Sequence, residues 1–174
     1  HVRNVKRHKE YEIVFKRLYS YIKKTKTPNS LIYVAGDIVH AKTDMSPELI
    51  NVVSKFFREL ANLAPTIVIT GNHDCNLNNS YRLDALSPIV KALDHQDLHY
   101  LKDNGIYLIS GIHFNVLSVY DKPADYIKAD TFEGDYKIAL HHGSVHNAST
   151  DAGFTLSNTH VTTEMFKGHD LVLL

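Results

Sequence analysis

Apolar positions recur with the period of an α-helix in three parts of the chain. In residues 6–24 the apolar side chains are separated mostly by three and four positions, which predicts an amphipathic helix. A second helix is predicted over residues 46–60, because Ser46 is suited to cap its first turn and Pro47 favours a helix start. The same reasoning predicts a third helix over residues 81–93.

Continuous apolar runs at residues 31–35, 66–70 and 136–140 predict buried strands. The first two runs flank the second predicted helix in the sequence, which gives the strand–helix–strand order of a parallel sheet. One more strand is predicted to start at residue 170. Shorter strands, for which antiparallel pairing is one option, are expected at residues 98–100, 105–109 and 113–119. The pattern therefore predicts an α/β protein.

Length and composition suit a single domain covering residues 1–174. The chain is 44% apolar and 22% charged, which is enough to form a sizeable core. The formal net charge is zero, so no overall bias indicates nucleic acid or a cationic partner. Lysines and arginines do concentrate in the first 26 residues, where they form either a phosphate-binding face or a solvated helix face.

Cysteine usage and hydropathy favour an intracellular protein, cytoplasmic or nuclear. Cys75 is the single cysteine, so an internal disulfide is impossible. No apolar run approaches the roughly 18 residues that a membrane span needs, and we expect no membrane partner.

Polar clusters follow three of the predicted strands. Asp37 follows the first, Asn72, His73 and Asp74 follow the second, and His141 follows the strand at residues 136–140. Ligands in open α/β sheets bind beyond the carboxyl ends of strands, so we expect the clusters to converge. Oxygen and imidazole groups suit Mn²⁺, Mg²⁺, Fe²⁺ or Zn²⁺, and the twelve dispersed histidines strengthen that expectation.

Each cluster also has a purely structural interpretation. Gly36-Asp37 is compatible with a turn, residues 71–74 with an Asx turn that caps a helix, and His141-His142-Gly143 with a hydrogen-bonded pair near a tight turn. All three occur in order and each after a buried strand, which favours a shared metal site.

The three clusters together resemble the ordered motifs of the calcineurin-like metallophosphoesterases. The resemblance rests on Gly36-Asp37, on residues 71–74 and on residues 141–143. It implies a two-metal phosphoric ester hydrolase on a four-layer αββα sandwich. It spans essentially the whole chain, and we expect the family's first strand and last ligand loop, with the first-motif aspartate and the last-motif histidines, to lie outside the given sequence.

The resemblance assigns roles to individual residues. His73 would be the catalytic histidine, with Asp74 orienting it. His169 precedes the last strand and is not expected to be a ligand. Two divalent ions, with Mn²⁺ preferred, would be held by His1, Asp37, Asn72 and His141.

Residues 36–40 resemble the nuclease branch of that family, which includes the SbcD-type repair nuclease subunit and phage recombination nucleases. In that branch the histidine three positions after the aspartate lies near the substrate, so His40 either does so here or caps the following turn. His142 is a further candidate for substrate contact. This branch implies DNA ends as substrate, a coiled-coil ATPase partner, a homodimer and compatibility with a viral or phage origin.

Other functions remain open at this point. One is a phosphomonoesterase or protein phosphatase of the same fold. Another is a non-catalytic scaffold or an inert fragment, against which the joint presence of Asp37, Asn72, His73 and His141 argues. Copper binding by an amino-terminal His1 would need a secreted protein, which nothing else in the sequence indicates.

Overall fold

The computed structural model describes residues 7–157 and 159–174, and it confirms the predicted α/β class with two sheets and surrounding helices. The chain divides into two compact units, one ending at Leu101 and the other covering Lys102–Leu174. His1 lies outside the described residues, so its predicted role as a ligand stays a prediction. No helix in the described ranges is long and apolar enough to cross a bilayer.

The first unit is built around a parallel three-stranded sheet in the order β1-β2-β3. Helices connect the strands, as parallel pairing requires. The elements in chain order are α1 (His8–Thr25), β1 (Ile32–Val34), α2 (Pro47–Ala61), β2 (Thr66–Ile69), α3 (Ser87–Leu93) and β3 (Leu98–Leu101).

Helix α2 begins where its cap predicts and buries one face. The Ser46 hydroxyl accepts a hydrogen bond from the backbone N–H of Leu49 at 3.2 Å, which satisfies one unpaired donor of the first turn. Val53, Phe57 and Leu60 are at most 2% exposed, and β2 is buried along its whole length. Burial of these side chains contributes roughly 1.5–3 kcal/mol each.

One expectation about this unit is wrong, and one option that the sequence left open is excluded. Helix α3 begins at Ser87 rather than at residue 81, because the Asp84 carboxylate accepts hydrogen bonds from the N–H groups of Leu86 and Ser87 and holds the preceding segment in a turn. Strand β3 is also not antiparallel. It pairs in parallel with β2, because α3 returns the chain to the end of the sheet at which β2 starts.

The second unit contains a four-stranded sheet in the order β4-β5-β6-β7. Strands β4 and β5 form the expected antiparallel hairpin through Ser110 and Gly111, both with positive φ, whereas β5, β6 and β7 are parallel. The strands are β4 (Gly105–Ile109), β5 (Ile112–Leu117), β6 (Lys137–His141) and β7 (Leu171–Leu173). Short 3₁₀ turns lie at Pro123–Asp125, Ala129–Thr131 and Thr163–Phe166.

His169 is a structural residue of this second unit. Its Nδ1 lies 2.9 Å from the carbonyl oxygen of Phe166, to which it donates. Its Nε2 accepts from the Asn115 amide at 2.9 Å, and Asn115 is fully buried. Both ring nitrogens are therefore engaged in hydrogen bonds within the unit.

Candidate functional site

Two glycines bring the loops after β1 and β2 into backbone contact. Gly36 has φ +91°, and a Cβ added to it would lie 2.6 Å from the nitrogen of Gly71. A Cβ on Gly71 would in turn lie 2.2 Å from both the nitrogen and the Oδ1 of Asp37. Only glycine fits such spacing, so these motif glycines set how closely the loops approach.

The Asp37 carboxylate is fixed against His73. Asp37 adopts φ +53°, a left-handed conformation that costs most L-residues about 1–2 kcal/mol but that aspartate tolerates better. Its Oδ1 accepts the backbone N–H of His73 at 2.9 Å, and its Oδ2 lies 4.0 Å from Nε2 of the His73 ring. The side chains are 21% and 37% exposed respectively, so a ligand from solvent can reach both.

The main chain of His40 orients the His73 ring. Nδ1 of His73 lies 2.8 Å from the carbonyl oxygen of His40, to which it donates, so Nε2 is the nitrogen directed at Asp37. The two rings are also stacked, with centroids 5.7 Å apart and planes inclined by 27°. His40 thus stands beside His73, as a residue near the substrate would.

Asp74 is placed differently from our prediction that it orients His73. It is 0% exposed, and its two oxygens accept the N–H groups of Val39 at 3.0 Å and Gly71 at 2.9 Å. Burial raises the pKa of this carboxyl, as does the charge of Asp37, whereas hydrogen bonds from the backbone of Val39, Gly71 and Asp37 lower it in part. Asp74 therefore joins the loops after β1 and β2 through hydrogen bonds to both. Asn72 follows Gly71 in the same turn, with an exposed side chain.

Hydrogen bonds among Thr70, Tyr100 and Asp84 support the loop after β2, and the sequence analysis did not predict them. The Tyr100 hydroxyl donates to Asp84 at 2.9 Å and therefore accepts from the Thr70 hydroxyl at 2.7 Å. Burial acts to raise the pKa of Asp84, but hydrogen bonds from Ser87, Tyr100 and the Leu86 N–H outweigh it and lower that pKa. The one sequence signal was the position of Thr70 directly before Gly71.

His141 is the last residue of β6 and pairs in register with Leu117 of β5. Its Nδ1 donates to the Leu117 carbonyl at 2.9 Å, while its Nε2 is buried and has no hydrogen-bond partner among the described atoms. Burial lowers the pKa of His141, the Leu117 carbonyl raises it in part, and His142 lowers it further. A lowered pKa favours the neutral imidazole near pH 7, and the Leu117 carbonyl favours the tautomer with its proton on Nδ1.

Gly143 and two aromatic rings surround the imidazole of His141. A Cβ at Gly143 would lie 2.7 Å from Nε2, so the motif glycine leaves the space that any other residue would fill. The rings of Tyr126 and Phe166 lie 5.9 Å and 6.0 Å from the His141 ring. His142 follows directly and is half-buried.

The structure thus brings Asp37, Asn72, His73, Asp74 and His40 together in the first unit. His141 and His142 form a second candidate group in the other unit. Within residues 7–157 and 159–174, no three His, Cys, Asp or Glu side chains form a ready metal-binding group. The donor chemistry nevertheless fits a divalent ion, since a backbone-anchored imidazole with an unpaired nitrogen is a usual metal ligand.

Comparison with known proteins bears on the same loops. The chain is 46% identical over 186 residues to "Uncharacterized protein R555" of Acanthamoeba polyphaga mimivirus. That alignment covers 100% of this chain and 14% of the relative, so the chain spans a small part of the length of the protein it matches. Residues 8–173 match the family model of calcineurin-like phosphoesterase. That match includes every loop described above, and the chain belongs to the calcineurin-like phosphoesterase family.

Proposed function

We propose that this chain carries the catalytic residues of a metal-dependent nuclease that cleaves phosphodiester bonds at DNA ends. Membership of the family supports a metal-dependent phosphoesterase in general. The observation that carries the proposal is the buried, unpaired Nε2 of His141, because a neutral imidazole buried without a partner is costly unless it binds something.

The family generally binds two divalent metal ions, and the proposed ligands are His1, Asp37, Asn72 and His141. Bound ions would supply positive charge for a phosphoryl oxygen and lower the pKa of water to roughly 7. Mn²⁺ is the proposed metal, since the set mixes oxygen and imidazole donors.

His73 is the proposed catalytic residue. The His40 carbonyl holds Nδ1, so Nε2 is presented toward Asp37 and the solvent. From this position a protonated ring is able to stabilise a phosphoryl oxygen or to protonate the leaving oxygen. Asp37 Oδ2 lies 4.0 Å from this nitrogen, and Asp74 acts only by holding the two loops together.

The choice of a nuclease over a phosphatase rests on His40. Its ring stacks on His73, which supports the substrate-side role that the nuclease branch suggests, and we propose His142 as a second substrate contact. A coiled-coil ATPase partner and a homodimer belong to the same proposal.

Hydrolysis of a diester and of a monoester tests the proposal. In a longer protein that includes the flanking ligand loops, we expect Mn²⁺-dependent hydrolysis of bis(p-nitrophenyl) phosphate and of labelled duplex DNA, with p-nitrophenyl phosphate a poorer substrate. Asp37→Ala and His141→Ala should lose activity by roughly 100-fold or more, as expected when a metal ligand is removed. The exposed His160→Ala is the matched control and should keep normal activity.

Two outcomes would contradict the assignment. A preference for the monoester would favour a phosphomonoesterase of the same fold. Retention of full Mn²⁺-dependent activity by Asp37→Ala would show that these loops do not hold the metal.

A further inference from the structure

Positive charge in this chain is concentrated on α1. Residues 7–26 carry seven lysines and arginines against two glutamates, whereas residues 27–174 carry ten lysines and arginines against seventeen acidic residues. The chain has no net charge, so the helix is a basic surface on an otherwise acidic chain. Such asymmetry is typical of a contact with a polyanion.

Three lysines of α1 form a straight line on the helix. Lys9, Lys16 and Lys23 recur every seven residues, about two turns, so they lie about 10.5 Å apart along one face. All three are exposed, and none takes part in an ion pair with the described residues. We call these three residues the basic stripe. Arg7, by contrast, is paired with Glu10 at 3.0 Å.

Lys55 of helix α2 lies beside the stripe. It lines a shallow cleft between α1 and α2 together with Lys16 and Glu12, so the cleft carries two cations and one acid. The floor of that cleft is aromatic and closed, because Phe15 packs on Phe56 with ring centroids 4.5 Å apart and Tyr19 lies against the same ring at 6.4 Å. These aromatic rings pack against one another within the protein, whereas the Lys16 and Lys55 side chains are exposed to an external partner.

We propose that the basic stripe binds the phosphate backbone of duplex DNA. The spacing of about 10.5 Å equals the rise of about three base pairs along the duplex axis, at 3.4 Å each, and a rigid helix holds this spacing constant. A single strand would need open aromatic platforms, and the rings beside the stripe are packed together. The choice of DNA rests on the proposed nuclease function.

Fluorescence anisotropy with a labelled duplex in excess EDTA tests binding without cleavage. The stripe variant combines Lys9→Gln, Lys16→Gln and Lys23→Gln, which keeps helix propensity. The matched control combines Lys91→Gln, Lys122→Gln and Lys128→Gln, which removes the same charge from exposed positions elsewhere. We expect the stripe variant to lose roughly 100-fold in affinity near 0.1 M salt and about three units of the slope of log K against log salt, and the control to lose little.

Three results would overturn the inference: wild-type affinity and slope in the stripe variant, an equal loss in the control, or a loss confined to single-stranded DNA, duplex RNA or phosphatidylserine vesicles. Mn²⁺-dependent hydrolysis of bis(p-nitrophenyl) phosphate separates this inference from the proposed function. Equal hydrolysis by wild type and both variants, together with the binding defect, supports the stripe. A wild type that binds duplex DNA through the stripe but hydrolyses no diester would refute the nuclease and leave the stripe standing.

Discussion

The Asp74→Asn substitution tests whether one carboxylate holds the two loops of the first unit together. The carboxylate accepts two backbone N–H groups, from Val39 at 3.0 Å and Gly71 at 2.9 Å. Asparagine has nearly the same shape but one acceptor oxygen, so its amide NH₂ would face one of these donors. A buried N–H left without an acceptor costs roughly 1–3 kcal/mol, and the hydrogen bond to a charged group is worth about 1.5–3 kcal/mol.

Relief of a buried charge offsets part of that loss. Burial raises the pKa of Asp74, which means that the folded protein holds the charged form at some cost that the neutral amide avoids. We therefore expect a net loss of about 2 kcal/mol in the free energy of unfolding, measured by urea titration with circular dichroism.

Asp94→Asn is the matched control for this measurement. Asp94 is exposed and caps α3 with φ +43°, a conformation that asparagine also tolerates, so its substitution should change stability by less than about 0.5 kcal/mol. If Asp74→Asn unfolds at the same urea concentration as the wild type, the carboxylate does not join the loops in the way described.

Two further substitutions probe the same unit. Asp84→Asn should remove an acid-sensitive part of the stability. Hydrogen bonds lower the folded pKa of Asp84 despite its burial, so its contribution to stability is present above the unfolded pKa of about 3.9 and is lost as pH falls through the folded pKa. Urea titrations between neutral pH and about pH 3 should show the difference in free energy of unfolding between wild type and variant shrinking, and a constant difference would argue against this reasoning. Gly71→Ala should abolish metal-dependent hydrolysis and destabilise the first unit, because its Cβ would lie 2.2 Å from Asp37. The control Gly111→Ala has positive φ but no atom within 4 Å of the added Cβ, so it should cost only about 1 kcal/mol of stability and keep activity. Equal effects of the two substitutions would show that the close approach of the loops is unimportant.

Local signals account for the parts of the fold that were predictable. The Ser46 cap, the apolar face of α2 and the uninterrupted apolar run of β2 each act within a few residues, so pattern alone locates them. Residues 81–86 were misleading. Tyr81 and Leu83 are each followed by another apolar residue four or three positions later, which is helical spacing, and yet they are 101% and 71% exposed. There the side chain of a single aspartate decides where the helix starts.

The candidate site was predictable in its residue types and not in its contacts. Motif order located Asp37, His73 and His141 at the ends of strands. The carbonyl groups of His40 and Leu117, which orient the two imidazoles, are 33 and 24 residues away from the rings they hold. Main-chain carbonyls carry no residue-specific signal, so sequence alone could not identify these contacts.

The pairing of β5 with β6 determines the chemical form of His141. Leu117 and His141 are partners in the parallel register, and the carbonyl of the one selects the tautomer of the other. A slip by one residue would turn every side chain of the moving strand to the opposite face and take the imidazole away from that carbonyl. The nitrogen-15 resonances of the His141 ring therefore report whether β5 and β6 of the second sheet are paired in this register.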